Sequence, residues 1–526
     1  MSDPSGLLLD PRVRVLEGGR TLLGGDPWRM LRLSERGVAV LRELLEGAAD
    51  AGGGTAAGED TRAGFARRLI DAGLAHPRPA PAPARGVTVV IPVRDRAAEL
   101  DRCLTALLDH DDPGRVLVVD DGSREPEAVL AVCARHGCEL IRRARPGGPA
   151  VARNAALARI DAGWVALLDS DCVPRAGWLS LLCGTLEADP RLGAVAPRVV
   201  ALGTGGTGDA DLGVAGARGR PGPDARAVAA GGVSALARFA AARSPLDLGP
   251  WPSLVRPGGR TPYVPTAALL ARREALGPAP FDPALRLGED VDLVWRLLDR
   301  GWSVRYEPAA VVGHREPARL GSWLRRRFRY GTSAGPLARR HPCRLAPAAF
   351  PPRTLAALVA VSAGLSRRRP GATAVAVGAA ALHLGLGARG LSRHGVPPRL
   401  AWALATRGLG DNAAALGRAA TMLAPVPLTA GLLSGRSRGA ITAAMGRGPA
   451  RTLTLIVLLA APVRDLVRLR PALDPWRFAA LSVADDLAYG TGVWAGALRA
   501  RTWRPLQPRI IRPAGAGVAD SCDPHG

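Results

Sequence analysis

From residue 87 onward, short apolar runs alternate with amphipathic stretches. Residues 87–92 form an apolar strand that ends at Pro92, and residues 97–108 carry a helical period. A second strand is predicted over 116–120 and a helix over 128–135. A short third strand follows at 139–142, a helix at 149–160 and a fourth strand at 164–169. Strands apolar on both faces and separated by helices predict a parallel sheet with right-handed crossovers. Ligands of such sheets bind beyond the carboxyl ends of the strands, where Asp120 and Asp169 stand.

The pattern differs on either side of this block. In residues 1–78 it predicts a small domain with short strands at 13–16 and 21–23 around a Glu17–Gly19 turn. Ser34 then caps a helix running to Leu45, a Gly-rich loop lies at Gly52–Gly54, and a second helix runs near 61–72. Residues 79–85 continue a Pro-rich linker and mark a domain boundary. A catalytic α/β domain is expected over 86–335, and an apolar helical region over 336–526. Residues 371–388 carry no charge, enough for a marginal membrane span. Residues 419–435 are also uncharged, with two prolines, while 354–366 and 452–463 are too short to span straight. Arg367–Arg369 would mark a cytoplasmic loop. The expectation is membrane association at the cytoplasmic face; the alternative is an Ala-rich helical domain in solution.

Composition narrows the choices. At 526 residues, two or three domains are expected. The formal charge is +24 and every basic residue is Arg, yet these are scattered and aromatics make up only 4%. That combination argues against nucleic-acid binding, which needs a basic stripe and bases to stack on. The N-terminus lacks a charged-then-apolar pattern, so no cleaved signal peptide is expected. Seven cysteines show no pairing logic, and Cys133 and Cys138 have no second pair beside them. A zinc site is not expected, and a reducing cytosol is.

Several acidic positions carry candidate chemistry. Asp120, Asp121, Gly122 and Ser123 follow a strand, where a carboxylate can accept from a base N–H or ribose hydroxyls. An Asp-Gly turn alone would look the same. Asp169 and Asp171 flank Ser170. In an extended chain both would face one divalent ion, Mg²⁺ or Mn²⁺, that neutralises a nucleoside-diphosphate leaving group. Glu289, Asp290 and Asp292 open a helix, where acids also favour the dipole. Asp290 is the expected general base and Glu289 the fallback. His314, after an apolar strand at 309–312, is the candidate third metal ligand. Arg326, Arg327 and Arg329 could clamp a diphosphate or line a membrane-surface helix. Arg153 and Asn154 stand on the helix before the Asp169 strand, within reach of a donor.

Taken in order, these motifs resemble family 2 glycosyltransferases of the GT-A fold, over roughly residues 86–335. The resemblance also rests on Ala268–Leu276, Phe281–Leu285 and Gly288–Leu298. It implies an inverting, metal-dependent transfer from a nucleotide sugar. In that frame Pro92, Asp120, Asp121, Arg153, Asp169, Arg326 and Arg327 would line the donor. Asp169, Asp171 and His314 would hold the metal, and Asp290 with Glu289 would serve the base step. The N-terminal segment resembles PqqD-like winged-helix modules that bind precursor peptides; a plain packing domain is the other reading. The whole arrangement is similar to the mycofactocin-system glycosyltransferases of actinobacteria. That likeness implies a hexosyltransferase using UDP-glucose on a small peptide-derived redox cofactor, building β-1,4-linked glucose. The Gln and Arg-Trp mark of processive polysaccharide synthases is missing, and Arg327-Phe328-Arg329-Tyr330 stands in its place. A lipid or cell-wall glycan acceptor, and an inactive peptide-binding scaffold, are the alternatives.

Overall fold

A computed structural model describes residues 6–46, 56–161, 163–202, 234–342, 344–367, 370–424 and 447–510. By Cα proximity the chain forms two compact units. One comprises 1–231 with 243–316, and the other 232–242 with 317–526. The helix bearing Arg326 and Arg327 belongs to the second unit.

The first unit opens with two small sheets. Strand β1 (Leu7–Leu9) pairs with β5 (Ala75–Pro77), and β2 (Arg14–Leu16), β3 (Thr21–Gly24) and β4 (Arg29–Arg32) form an antiparallel meander. Helices Glu35–Glu46 and Ala56–Asp71 cover them. Ser34 Oγ accepts the Gly37 amide, the capping expected from the sequence. Leu22, Leu41, Leu69 and Leu74 form this core. Strands β1, β4 and β5 were not expected from the sequence. The Pro-rich stretch is packed rather than free: Ala82 donates to Ser180 O at 2.9 Å, against helix Trp178–Ala188.

Among the described residues the large sheet of this unit has nine strands. In order they are β10 (Cys172–Pro174), β14 (Ser303–His314), β11 (Leu192–Ala201), β13 (Ala268–Arg272), β9 (Trp164–Leu168), β6 (Val87–Val93), β7 (Arg115–Asp120) and β8 (Glu139–Arg142). The ninth, β12 (Ser253–Leu254), pairs with β14. Strands β6 to β9 are parallel, as the alternation predicts. Beyond these four strands the sheet is mixed, with β13 antiparallel to β9 and β11, and β10 antiparallel to β14. An apolar run reads the same in either direction, so periodicity could not see this. Strand β14 extends well beyond the 309–312 stretch, and buried Arg305 and Tyr306, which interrupt its apolar pattern, hide that extent in the sequence. Val89, Ile91, Val118, Leu168, Trp178 and Leu182 pack the sheet against its helices. Full burial of each aliphatic side chain stabilises by about 1.5–3 kcal/mol.

The second unit is helical. Helix Leu320–Thr332 lies flush on helix Pro475–Arg499, close enough that a Cβ on Gly492 would meet Phe328 O at 2.0 Å. Phe239 packs on Trp323 and Phe478, with ring centroids 5.9 and 5.7 Å away. Among the described residues one helix, Gly371–Arg393, is long and apolar enough to cross a membrane, with mean hydropathy 1.5. Val375, Val377, Leu382 and Leu386 on it are exposed. The Gly52–Gly54 loop, Arg368, Arg369 and residues 425–435 lie outside the described residues.

Candidate active site

The parallel strands deliver the first acids. Strand β7 ends at Asp120, fully buried beside β6 in the register Val93↔Asp120. Its Oδ1 accepts the Ser123 amide at 2.9 Å, closing the turn that Gly122 makes at φ +74°. Its Oδ2 is buried and, among the described residues, has no hydrogen-bond partner. A buried acceptor left open in this way suits a donor N–H or hydroxyl from a ligand. Asp121 is different. It accepts from Arg143 Nε at 2.9 Å, Gly147 N at 3.0 Å and Gly148 N at 2.6 Å. Of the two acids to which the sequence reading gave a nucleotide role, Asp120 keeps an open oxygen, whereas Asp121 is engaged in holding the 143–148 loop. Pro92 lies half-buried within β6, opposite Val119.

Asp169 and Asp171 do not face one point. Strand β9 stops at Leu168, and Asp169 O accepts the Cys172 amide at 3.0 Å. The segment is a turn, so the alternation rule for extended chains does not apply. Asp169 instead accepts from Arg153 Nη2 at 2.5 Å. Asp171 faces His314 because β10 pairs with β14 in the register Cys172↔His314. His314 Nε2 is 3.8 Å from Asp171 Oδ1, and Arg96 donates to Asp171 Oδ2. Among the described residues no three His, Cys, Asp or Glu side chains converge as a metal cluster. Two donors 3.8 Å apart could close on one ion at bond lengths of about 2.0–2.2 Å with a small side-chain movement. In this geometry Asp171 and His314 are the side chains that could hold the ion, and Asp169 is turned away to Arg153.

The base candidates sit where Gly288, at φ +82°, turns into helix Glu289–Asp299. Arg153, on helix Pro149–Leu157 and only 2% exposed, donates to Glu289 Oε1 at 3.3 Å as well as to Asp169. Its guanidinium also lies 5.3 Å from the centre of the Phe281 ring. Arg153 is thus an internal tie between the two acidic clusters, correcting its expected place against the donor. Asn154 clamps the Phe281 peptide from both sides, donating to Phe281 O and accepting Phe281 N. Burial pushes the Asp290 carboxyl up to about 7, and the adjacent Glu289 charge adds to the rise. Glu289 is also raised by burial, against the pull of Arg153. Asp292 is taken by Arg296 at 2.8 Å, one turn along the helix.

The arginines of the second unit are engaged there. Arg327 donates to buried Asp485 at 2.7 Å and lies over the Tyr489 ring, and Trp323 Nε1 donates to the same carboxylate. Arg326 stacks near Trp323 and Tyr330. The diphosphate clamp expected of Arg327 is corrected by this pairing, which already occupies its guanidinium. Arg96, Ser244 and Glu316 escaped the sequence reading. Nothing in spacing links Ser244 to Glu316, 72 residues apart, or Arg96 to Asp171, 75 apart.

Comparison with known proteins adds identity to this geometry. Residues 88–213 match the family described as Glycosyl transferase family 2. The chain is 36% identical over 527 residues to the pre-mycofactocin glycosyltransferase of Mycobacterium tuberculosis, covering 97% of this chain and 98% of the relative. It is 34% identical over 137 residues to an N-acetylglucosaminyltransferase of Rhizobium meliloti, covering 25% of this chain and 31% of that one. A mannosyltransferase from Pyrobaculum calidifontis, solved with GDP-Man and Mn²⁺, aligns over 74% of this chain and 90% of its own at 20% identity and a TM-score of 0.34.

Proposed function

The chain belongs to the family of the pre-mycofactocin glycosyltransferase, within glycosyl transferase family 2, and from that premise we propose that it transfers a hexose onto the mycofactocin precursor. The donor in this reading is UDP-glucose, the reaction inverts the anomeric carbon, and repeated transfer builds a short β-1,4-linked glycan.

The observation that carries the reading is Asp290, a carboxyl poised near neutrality at a helix start. A base with such a pKa is half-ionised at cellular pH, where general-base catalysis is efficient. Its carboxylate takes the proton of the acceptor hydroxyl as that oxygen attacks the anomeric carbon and the nucleoside diphosphate departs. Asp120 Oδ2 accepts from the nucleoside. Glu289 keeps Asp290 basic by its charge, and Arg153 keeps Glu289 in place. Asp171 and His314 would hold Mg²⁺ or Mn²⁺, which when bound neutralises the departing diphosphate. The N-terminal domain, read as PqqD-like, would engage the peptide part of the acceptor.

The proposal places the protein at the cytoplasmic face of the membrane, with Gly371–Arg393 in contact with lipid. That exposed apolar helix also favours a second reading, transfer to a lipid-linked or cell-wall glycan. Mass spectrometry separates the two. Purified protein, UDP-glucose and Mg²⁺ or Mn²⁺ should add a hexose ladder to the peptide-derived redox cofactor, and Asp290→Asn should abolish it. UDP release that depends on Asp290, without transfer to this acceptor, would discard the acceptor and leave the chemistry.

A further inference from the structure

Next to the Asp171–His314 pair lies a carboxylate to which no role has yet been given. Glu316 follows His314 by two residues, and its side chain is only 6% exposed. Its Oε1 lies 3.8 Å from His314 Nδ1, while His314 Nε2 lies 3.8 Å from Asp171 Oδ1. The imidazole therefore stands between two carboxylates, one at each ring nitrogen. Ser244 Oγ donates to the same Glu316 oxygen at 2.6 Å, and the Leu246 amide donates to Ser244 Oγ at 3.3 Å. Ser244, Glu316, His314 and Asp171 thus form one chain of contacts, anchored at the far end by backbone.

We infer that Glu316, held by Ser244, is a positioning residue that keeps the His314 Nδ1–H turned toward itself and leaves the Nε2 lone pair facing the cation beside Asp171. The inference rests on the metal reading above and goes beyond it. A buried carboxylate is costly unless it is compensated, and here Ser244 donates to it while the His314 ring stands beside it. Fixing one ring nitrogen determines which one is free to ligate, and a carboxylate behind a histidine also raises its basicity toward a cation. Loss of such an outer partner typically lowers metal affinity by about 10–100-fold. Asp171 needs no such partner, since a carboxylate has no tautomer.

The test is Mn²⁺ binding to the full-length protein, without donor or acceptor. Electron paramagnetic resonance gives the affinity, and electron spin echo modulation reads nitrogen coupling from a bound imidazole. Wild type should show the coupling, and His314→Ala should lose it. Glu316→Gln, which keeps an acceptor for Ser244 without the charge, should bind Mn²⁺ about 10–100-fold more weakly at an unchanged melting temperature. Ser244→Ala should weaken binding by a smaller factor, and it serves if Glu316→Gln does not fold. Wild-type affinity and coupling in both Glu316→Gln and Ser244→Ala, with His314→Ala defective, would overturn the inference alone. Wild-type affinity in His314→Ala would instead remove the metal reading on which it rests.

Discussion

Arg153 Nη2 donates to Asp169 Oδ1 at 2.5 Å from a position that solvent hardly reaches. The same guanidinium reaches Glu289, so one buried cation ties the end of β9 to the start of the base helix. Removing it leaves two carboxylates uncompensated. Breaking a buried pair in this way costs about 3–5 kcal/mol. Arg153→Met should lower the melting temperature and abolish transfer, while Arg153→Lys, which keeps the charge and loses the fork, should recover stability in part. Thermal melts and transfer rates of the two variants check this.

The pH profile should report Asp290. A base works when ionised, so kcat should rise with pH through the region near 7, the value to which burial and Glu289 push this group. Glu289→Gln removes the neighbouring negative charge, so Asp290 should ionise more easily and the rising limb should move to lower pH. Asp290→Asn should cost about 10²–10⁴-fold in kcat, with the donor Kd little changed. Steady-state rates from pH 5.5 to 9, with calorimetric donor binding, would measure all three.

Stability gives an independent reading of the same group. The folded-state pKa of Asp290 is raised from 3.8 to about 7, so the folded state holds the proton more tightly than the unfolded chain. Its stabilising contribution is complete below the unfolded value and is lost as pH rises through the folded one. Asp290→Asn should therefore gain in melting temperature relative to wild type between about pH 4 and pH 7, and remain ahead at pH 8. A constant difference at pH 5 and pH 8 would contradict the shift.

Asp120 and Asp121 should separate cleanly. Asp121→Ala orphans the Gly147 and Gly148 amides and should cost about 1–3 kcal/mol per unsatisfied group. Asp120→Asn keeps an acceptor for Ser123 while altering the open oxygen, so it should raise the donor KM by about tenfold with little change in melting, a loss of about 1.4 kcal/mol. Chemical denaturation and donor titration distinguish the two variants.

Arg327→Met tests whether that arginine serves the donor or the helices. It removes the Arg327 partner of the Asp485 carboxylate buried beside Trp323 and should destabilise by about 3–5 kcal/mol. The donor KM of the folded fraction should be unchanged. A rise in KM at wild-type stability would return Arg327 to the diphosphate.

Much of this was legible along the chain. Short apolar runs gave β6 to β9 and their parallel order, since burial on both faces leaves no polar alternation. Ser34 capped its helix as expected, and Asp120 stood at a strand end. Asp169 and Asp171 were legible as a motif, though their geometry was not. A turn after Leu168 sends one side chain to Arg153 and the other to His314, and only long-range register decides that.

The sequence by itself determined the alternation, the acidic motifs and thereby the family, because each is local and written in spacing. The tertiary structure decided the direction of β13, the engagement of Asp121 and Arg327, the internal role of Arg153 and the Ser244–Glu316–His314 chain. Each of these depends on which groups a fold brings within about 4 Å across tens or hundreds of residues, where charge and hydrogen bonding act. Spacing along the chain carries no record of that distance.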